Sequence, residues 1–282
     1  MATIIDGKKI SKDIKDEVRE RVLELKENGE EITLAVVLVG DDNASQIYVR
    51  NKKRACEYTF IRSLEYNLPA STKEDELLEL IDKLNADPAV NGILVQMPLP
   101  KGISEEKVIN RILPEKDVDG FHPINKGKLL EGTTCFLPCT PAGIIELLKR
   151  YNVLIDGKRC VVIGRSDIVG KPMSILLLQE NGTVTTCHSH TKNLEEITRE
   201  ADIIVCAIGV AKFLKADMVK KGATVIDVGM DRDEEGNLCG DVDFDNLLDV
   251  CDCITPVPGG VGPMTIAMLM KNVLTAYEIQ KG

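Results

Sequence analysis

The feature that most constrains this chain is an alternation. Short runs of β-branched and apolar residues recur along it, separated by segments with helical periodicity. In the second half the runs are "RCVVIG" (159–164), "TVTTCHS" (183–189), "DIIVCAIG" (202–209) and "TVIDVGM" (224–230). A strand buried on both faces reads as a continuous apolar run, and joining such strands in parallel needs helical crossovers. A doubly wound parallel sheet is therefore expected here. The first half repeats the scheme with "TLAVVLVG" (33–40), "IRSLEYNL" (61–68) and "GILVQMPL" (92–99). Helices are expected over about 8–28, 43–57 and 73–86, the last capped by Ser71 or Thr72 with acidic residues in its first turn.

Between 100 and 141 the pattern turns irregular and rich in Pro and Gly, apart from a short helix near 104–112. "LPEKDVDGFHP" and "FLPCTPAG" cannot hold regular structure for long. This stretch is the expected domain border. "TPAGIIELLKRY" (140–151) reads as a helix with Thr140 as its cap and Pro141 at the first helical position. The expected division is 1–139 with a C-terminal helix over about 264–282, and 140–263. That last helix, "GPMTIAMLMKNVLTAYEIQ", is apolar-periodic and is expected to pack back on the first domain.

Composition excludes several classes. A chain of 282 residues is comfortable for two domains, and its 44% hydrophobic and 28% charged content is that of a soluble globular protein. No apolar run approaches the ~20 residues of a membrane span. "MATIIDGKKI" lacks the apolar core and cleavage site of a secretory signal. A net charge of −10 argues against a general nucleic-acid binder. Most of the nine cysteines sit in apolar runs, among them Cys160, Cys187 and Cys206. That is how free cysteine behaves in a reducing compartment, so a cytoplasmic location is expected. The pairs Cys135/Cys139 and Cys251/Cys253 lack the spacing of a structural zinc site, and no metal is expected.

"CVVIGRSDIVGKPMSILLL" (160–178) sets an apolar strand before a Gly-containing turn and a helix. Dinucleotide sites are built this way, with pyrophosphate at backbone N–H groups of a helix N-terminus. The motif is G-x-S-x-x-x-G (Gly164, Ser166, Gly170), and a plain strand-to-helix turn also satisfies it. An NAD site would place an acid at the end of the next strand to hold the ribose 2′-hydroxyl. "CHSHTKN" (187–193) offers none before Glu195. Arg165, Ser189, His190 and Lys192 are instead suited to a 2′-phosphate, which favours NADP.

On the helix 43–57, Ala44, Ile47, Tyr48, Asn51, Lys52 and Ala55 form one stripe. A lysine on an inward stripe must snorkel, be ion-paired, or sit in a cleft with a lowered pKa. Only the last makes a general acid or base at neutral pH. The spacing alone favours snorkelling. Two other stretches shift the balance. Gln96 is a polar residue inside "ILVQMPLP", and a strand's carboxyl end is where α/β sites lie. "PEKDVDGFHP" supplies Asp117 and Asp119 on a constrained loop, although an Asx-type turn before Gly120 would serve as well.

Taken together, "SQIYVRNK", "GILVQMPLP", "PEKDVDGFHP", "FLPCTPAG", "VIGRSDIVGKPM", "VIDVGM", "GDVDF" and "TPVPGGVGPMT" run in order across nearly the whole chain. This series closely resembles the bifunctional methylenetetrahydrofolate dehydrogenase/methenyltetrahydrofolate cyclohydrolase family. The resemblance implies two α/β domains flanking a cleft, with folate on the N-terminal catalytic domain and NADP on a C-terminal Rossmann-type domain. It also implies a homodimer. By the same resemblance Lys52 is the catalytic lysine, Tyr48 stacks on the folate aminobenzoyl ring, Gln96 contacts the lysine, and Asp119 binds the pterin. Gly164, Arg165 and Ser166 match the cofactor loop, Ser189 the approach to the 2′-phosphate, and Met230 a cofactor-lining position. Pro258, Gly259 and Gly260 would line the site near substrate and nicotinamide. His190 stands where the family often carries Lys or Arg. A two-domain NAD(P)-dependent dehydrogenase of a hydroxy or amino acid would share the second half but has no use for "VQMPLP" and "KDVDG". A binding module that had lost its chemistry would be expected to break at least one of Tyr48, Lys52, Gln96 and Asp119.

Overall fold

The computed structural model describes residues 1–133, 136–233 and 235–281; at Asn43 and Ala44 it describes the backbone alone. Cys135 and the side chain of Ala44 therefore lie outside the described residues. In chain order the elements are β1 (Thr3–Ile4), α1 (Gly7–Glu27), β2 (Thr33–Val39), α2 (Asn43–Thr59), β3 (Arg62–Leu68), α3 (Glu74–Ala86) and β4 (Gly92–Val95). Then come α4 (Glu105–Arg111), α5 (Pro123–Glu131), α6 (Cys139–Arg150), β5 (Arg159–Ile163), α7 (Gly170–Gln179), β6 (Thr183–Cys187) and α8 (Leu194–Arg199). The chain finishes with β7 (Ile203–Cys206), β8 (Thr224–Asp227), β9 (Asp231–Arg232), β10 (Leu238–Cys239), α9 (Phe244–Leu247), β11 (Cys253–Ile254) and α10 (Val261–Lys281).

The chain divides into two compact units: Lys12–Cys139 with Ile266–Gly282, and Met1–Ser11 with Thr140–Thr265. The first holds a parallel three-stranded sheet in the order β3-β2-β4. Its central strand, β2, is buried at all seven positions, which is why "TLAVVLV" carries no polar alternation. Ala35, Val37 and Val39 share one apolar cluster with Ile93 and Val95 of β4 and with Leu77, Ile81 and Leu84 of α3. Burying each of those long aliphatic side chains stabilises the unit by about 1.5–3 kcal/mol. β4 stops at Val95, short of the expected residue 99, because Pro98 and Pro100 follow. The segment 116–118 runs beside β4, with the Ile93 N–H donating to the Lys116 carbonyl at 2.8 Å. Gly92 permits this approach: a Cβ there would lie 2.6 Å from Val118 Cγ1.

The second unit holds a six-stranded sheet in the order β1-β11-β8-β7-β5-β6, with every pairing parallel. The order reverses at β5, whose neighbours are β6 and β7, so the sheet is doubly wound as expected. The two-residue strand β1 was too short to read from sequence. It joins this sheet through β11, and so the first eleven residues belong to this unit. Val161, Ile163, Ile204, Val225 and Ile254 from the sheet pack in one cluster with Leu214 and Leu247.

Three local expectations change. The helix α5 occupies part of the stretch read as irregular, with His122 accepting the Ile124 N–H at its N-cap, Pro123 at its start and Gly132 left-handed at its end. The helix α6 begins at Cys139, and Thr140 Oγ1 meets Thr265 Oγ1 at 2.9 Å where a capping role was expected. The N-cap of α3 is Lys73, and its N–H donates to Glu76 Oε2 at 3.1 Å; Ser71 and Thr72 lie in the turn before it.

Gly92→Ala should destabilise the chain by about 1–3 kcal/mol, the cost of forcing a methyl group into a packed β-branched neighbour. The check is urea unfolding: the midpoint should fall at unchanged slope, and a wild-type midpoint would contradict the close approach to Val118.

Candidate active site

In the unit that carries α2, the buried stripe of that helix runs through Ser45, Val49, Lys52, Ala55, Cys56 and Thr59. Ile47 and Tyr48, expected on the inward side, are 50% and 39% exposed. Lys52 is 9% exposed, so it points inward while Arg50, Lys53 and Arg54 stay at the surface. The helix is set by Asp42, whose Oδ2 accepts the Ser45 N–H at 2.8 Å.

Lys52 Nζ donates to Gln96 Oε1 at 3.0 Å. Gln96 follows the last residue of β4, and its backbone N–H still donates to the Val37 carbonyl, at 2.8 Å. Its Nε2 donates to the Met97 carbonyl at 2.6 Å. That second bond decides the orientation of the amide, because only the oxygen is then left to face the lysine.

Asp119 lies close enough to Lys52 to interact with its charge. Burial raises the Asp119 pKa, and the Lys52 ammonium opposes that rise. The Cys139 thiol shares this environment; burial pushes its pKa well up, the Asp119 charge adds to the effect and the Lys52 charge opposes it. Tyr48 sits one helical turn from Lys52 on the exposed flank, and partial burial raises its pKa.

Asp117 proves to be a different kind of residue from Asp119. Its carboxylate accepts the Phe121 N–H at 3.2 Å, the His122 N–H at 2.8 Å and Asn125 Nδ2 at 2.8 Å. Burial pushes its pKa up to about 6 against those donors. It organises the loop. Lys116 is structural too: Nζ donates to the carbonyls of Leu84, Asn85 and Asp87 at 2.7–3.0 Å, closing the C-terminal end of α3. Asn272, which sequence reasoning missed, holds the same loop from α10. Its Nδ2 donates to the Val118 carbonyl at 2.8 Å and the Leu137 carbonyl at 2.9 Å.

In the other unit, Gly164 follows β5 with φ +125°, and a Cβ there would lie 2.2 Å from the Ala207 carbonyl oxygen. At Gly170 a Cβ would lie 2.3 Å from the Gly164 oxygen. Both positions require glycine. Ser166 Oγ accepts the Val169 and Gly170 N–H groups at 3.2 and 3.3 Å, tying the turn to the start of α7. Ile163 and Cys187 are register partners, so Arg165 and Ser189 each stand two residues beyond a paired position at adjacent strand ends. Both are exposed, as is His190. No acid stands at the end of β6: Cys187 is followed by a turn closed by the Thr191 N–H donating to the His188 carbonyl at 2.8 Å. A bare strand-to-helix turn, anchored glycines and an exposed arginine in place of an acid fit a dinucleotide with a 2′-phosphate.

Pro258, Gly259 and Gly260 follow the carboxyl end of β11. A Cβ on Gly260 would lie 2.6 Å from the Pro256 oxygen, and one on Gly7 would lie 1.8 Å from the Gly260 oxygen. Met230, after β8, is 53% exposed, and its Sδ lies 3.9 Å from where a Cβ on Gly262 would be. Asp227, another residue missed from sequence, closes β8. Its Oδ1 accepts the Gly229 and Asp241 N–H groups at 2.9 Å each, and its Oδ2 the Val242 N–H at 3.0 Å. The signal was present as an acid ending an apolar strand, a position that needs partners. Among the described residues no cluster of His, Cys, Asp and Glu could hold a metal ion. No helix of the described residues is long and apolar enough to cross a membrane.

Fold and residues together define a two-domain α/β protein with a dinucleotide-type loop on one unit and a buried lysine–amide pair on the other. Models of both domains of one family match the chain. The tetrahydrofolate dehydrogenase/cyclohydrolase catalytic domain matches residues 5–119, and the NAD(P)-binding domain of the same family matches residues 138–281. The chain belongs to the tetrahydrofolate dehydrogenase/cyclohydrolase family. The bifunctional protein FolD of Agathobacter rectalis is 63% identical over 278 residues, 99% of this chain and 100% of the relative. The crystal structure of the bifunctional FolD enzyme from Campylobacter jejuni superposes with a TM-score of 0.97 at 50% identity, over 99% of each chain. The Trypanosoma brucei dehydrogenase-cyclohydrolase, solved with NADP cofactor and inhibitor, gives 0.93 at 39% identity, over 99% of this chain and 98% of that one.

Burial pushes the Asp227 pKa up to about 7, with Asp241 adding to the rise and the three N–H donors opposing it. A carboxyl raised in the folded state binds a proton there that the unfolded chain has already lost, so its contribution to stability falls as pH rises from about 4 to 7. The carboxyl carbon of Asp227 should accordingly titrate near 7 by NMR. A midpoint near 4 would contradict this account.

Proposed function

We propose that Lys52, oriented by Gln96 and flanked by Asp119 and Tyr48, carries the proton chemistry of a two-step conversion of a folate-bound one-carbon unit. The chain is a bifunctional enzyme. It oxidises 5,10-methylenetetrahydrofolate to 5,10-methenyltetrahydrofolate with NADP⁺, and it hydrolyses the product to 10-formyltetrahydrofolate. The observation that carries the residue assignment is the 3.0 Å bond from Lys52 Nζ to an amide oxygen whose orientation the Met97 carbonyl fixes.

Bound NADP⁺ supplies the hydride acceptor for the first step. Gly164, Arg165 and Ser166 hold its phosphates, Arg165 and Ser189 meet the 2′-phosphate, and Met230 lines the cofactor. Pro258, Gly259 and Gly260 border the substrate. The substrate's own nitrogens stabilise the methenyl cation, so the protein's part in that step is mainly alignment. The second step needs proton transfer. Water adds to the methenyl carbon and its oxygen loses both protons, one passing to a ring nitrogen as the C–N bond opens and the other leaving to solvent. Lys52 exchanges these protons, with Gln96 holding Nζ in place, Asp119 binding the pterin and Tyr48 stacking on the aminobenzoyl ring.

A homodimer belongs to the same reading. So does a cytoplasmic location, which is supported by eight free cysteines among the described residues, six of them buried.

The activity is tested by following NADPH and the methenyl intermediate at separate wavelengths with 5,10-methylenetetrahydrofolate and NADP⁺. NADPH should form and the methenyl signal should then decay; a methenyl signal that persists would contradict the second step. Lys52→Met should lower the cyclohydrolase rate by about 10²–10⁴-fold, the usual range for a lost general acid–base, while some dehydrogenase activity survives. Survival of both activities at wild-type rates would remove the lysine from its role. Arg165→Ala should raise KM for NADP⁺ more than for NAD⁺, and an equal effect on both would remove the 2′-phosphate contact.

A further inference from the structure

The loop after β7 is held by a carboxylate that the mechanism above does not use. Asp241 is fully buried, with Oδ2 accepting the Ile208 N–H at 2.7 Å and Oδ1 accepting the Val210 N–H at 2.8 Å. The two bonds bracket Gly209, which takes φ +67°. This loop begins at Ala207, whose carbonyl leaves no room for a side chain on Gly164. It therefore forms the wall opposite the phosphate loop, at the point where the strand order reverses and where ligands of such sheets bind.

Asp241 is itself fixed. Its N–H donates to Asp227 Oδ1 at 2.9 Å, and its carbonyl accepts the Leu214 N–H at 2.9 Å. The segment fits only because two residues lack side chains. A Cβ on Gly240 would lie 2.0 Å from Asp227 Oδ2, and one on Gly229 would lie 2.4 Å from the Asp241 nitrogen. "VIDVG" and "GDV" are thus the two halves of one device. The end of β8 holds the Asp241 backbone, and the Asp241 side chain holds the loop.

We propose that Asp241 is the positioning residue of the dinucleotide site, and that a proton shared with Asp231 keeps its carboxylate free to hold the loop. The Asp231 carboxyl lies against that of Asp241, and Asp231 Oδ2 is buried with no hydrogen-bond donor among the described residues. Two buried carboxyl groups in contact, one of which has an oxygen with no donor of its own, are stable when that one keeps its proton. Burial first, and then the Asp241 neighbour, raise the Asp231 pKa accordingly. Among the described residues the other groups facing the pair are Asp227 from β8, the buried Cys206 thiol from β7, and Cys239 from β10. Lys212 and Asp233 lie nearby, with Nζ and Oδ2 3.9 Å apart. As pH rises and Asp231 ionises, the two carboxylates repel and the loop loosens.

The test is a fluorescence titration with NADPH, run with steady-state KM values for NADP⁺ and the folate substrate. Asp241→Asn sets an amide N–H against a backbone N–H. It should weaken NADPH binding at least about tenfold, the effect of losing one hydrogen bond to a charged group, while KM for the folate changes little. NADPH binding equal to wild type, or an equal loss in both KM values, would overturn the proposal. The second variant, Asp231→Asn, donates permanently. Wild-type NADPH affinity should fall as pH rises, and Asp231→Asn should flatten that dependence; an unchanged pH slope would overturn the shared proton. If Asp241→Asn does not fold, the Asp231→Asn comparison decides alone. The inference rests on the cofactor reading of the Gly164 loop. Wild-type protein that bound no NADPH would overturn that reading with it, whereas wild-type binding alongside an unaffected Asp241→Asn variant overturns the inference only.

Discussion

Burying the Lys52 side chain against a neutral amide, with no carboxylate among the described residues as direct hydrogen-bond partner, is the constraint on which the proposed site depends. A lysine paired directly to a carboxylate is held charged, and losing its proton would strand a buried negative charge. An amide oxygen accepts a hydrogen bond from an amine nitrogen whether that nitrogen is charged or neutral, so it holds Lys52 Nζ in place without adding a charge of its own. Three features enforce the arrangement: the inward stripe of α2, the extension of the β4 ladder to the Gln96 N–H, and the Met97 carbonyl that turns the amide. Asp119 stands close enough to feel the lysine's charge, which opposes the rise that burial imposes on its pKa.

The second unit solves a different problem, which is packing its turns tightly against one another at the carboxyl ends of the strands. It does so by removing side chains. Gly164, Gly170, Gly229, Gly240 and Gly260 each sit where a Cβ would fall within 2.7 Å of another atom. Buried carboxylates then lock the stripped loops from behind: Asp227 on the segment after β10, Asp241 on the loop after β7. Such groups are costly to bury and are retained only with their hydrogen bonds satisfied. Their placement at the carboxyl ends of the strands is where a doubly wound sheet leaves room for a ligand.

Much of this was legible in the sequence, for identifiable reasons. Strands such as β2, β5 and β7 are buried on both faces, so their apolar runs announced themselves. Lys52 was legible as an anomaly, but its stripe was drawn through Ile47 and Tyr48 when the buried face runs through Ser45, Val49 and Cys56. Small polar and apolar residues on α2 left the phase of the helix ambiguous by about one position. Asp117 and Asp119 looked alike in "KDVDG", and only the hydrogen bonds from Phe121, His122 and Asn125 mark Asp117 as the loop organiser. Other features rest on long-range contacts that no local pattern encodes. The strand β1 exists because β11 is there to pair with it, 250 residues away by the register of Thr3 with Cys253. The roles of Asn272 and Asp241 likewise appear only when distant segments meet.

The measurement that tests the central claim most directly is the pH–rate profile of the cyclohydrolase step in Gln96→Glu beside wild type. The substitution keeps the shape of the side chain but sets a carboxylate against Lys52, which favours the charged nitrogen. The account predicts a lower rate and a profile displaced to higher pH. A rate and profile equal to wild type would contradict it, because the lysine would then be indifferent to its partner.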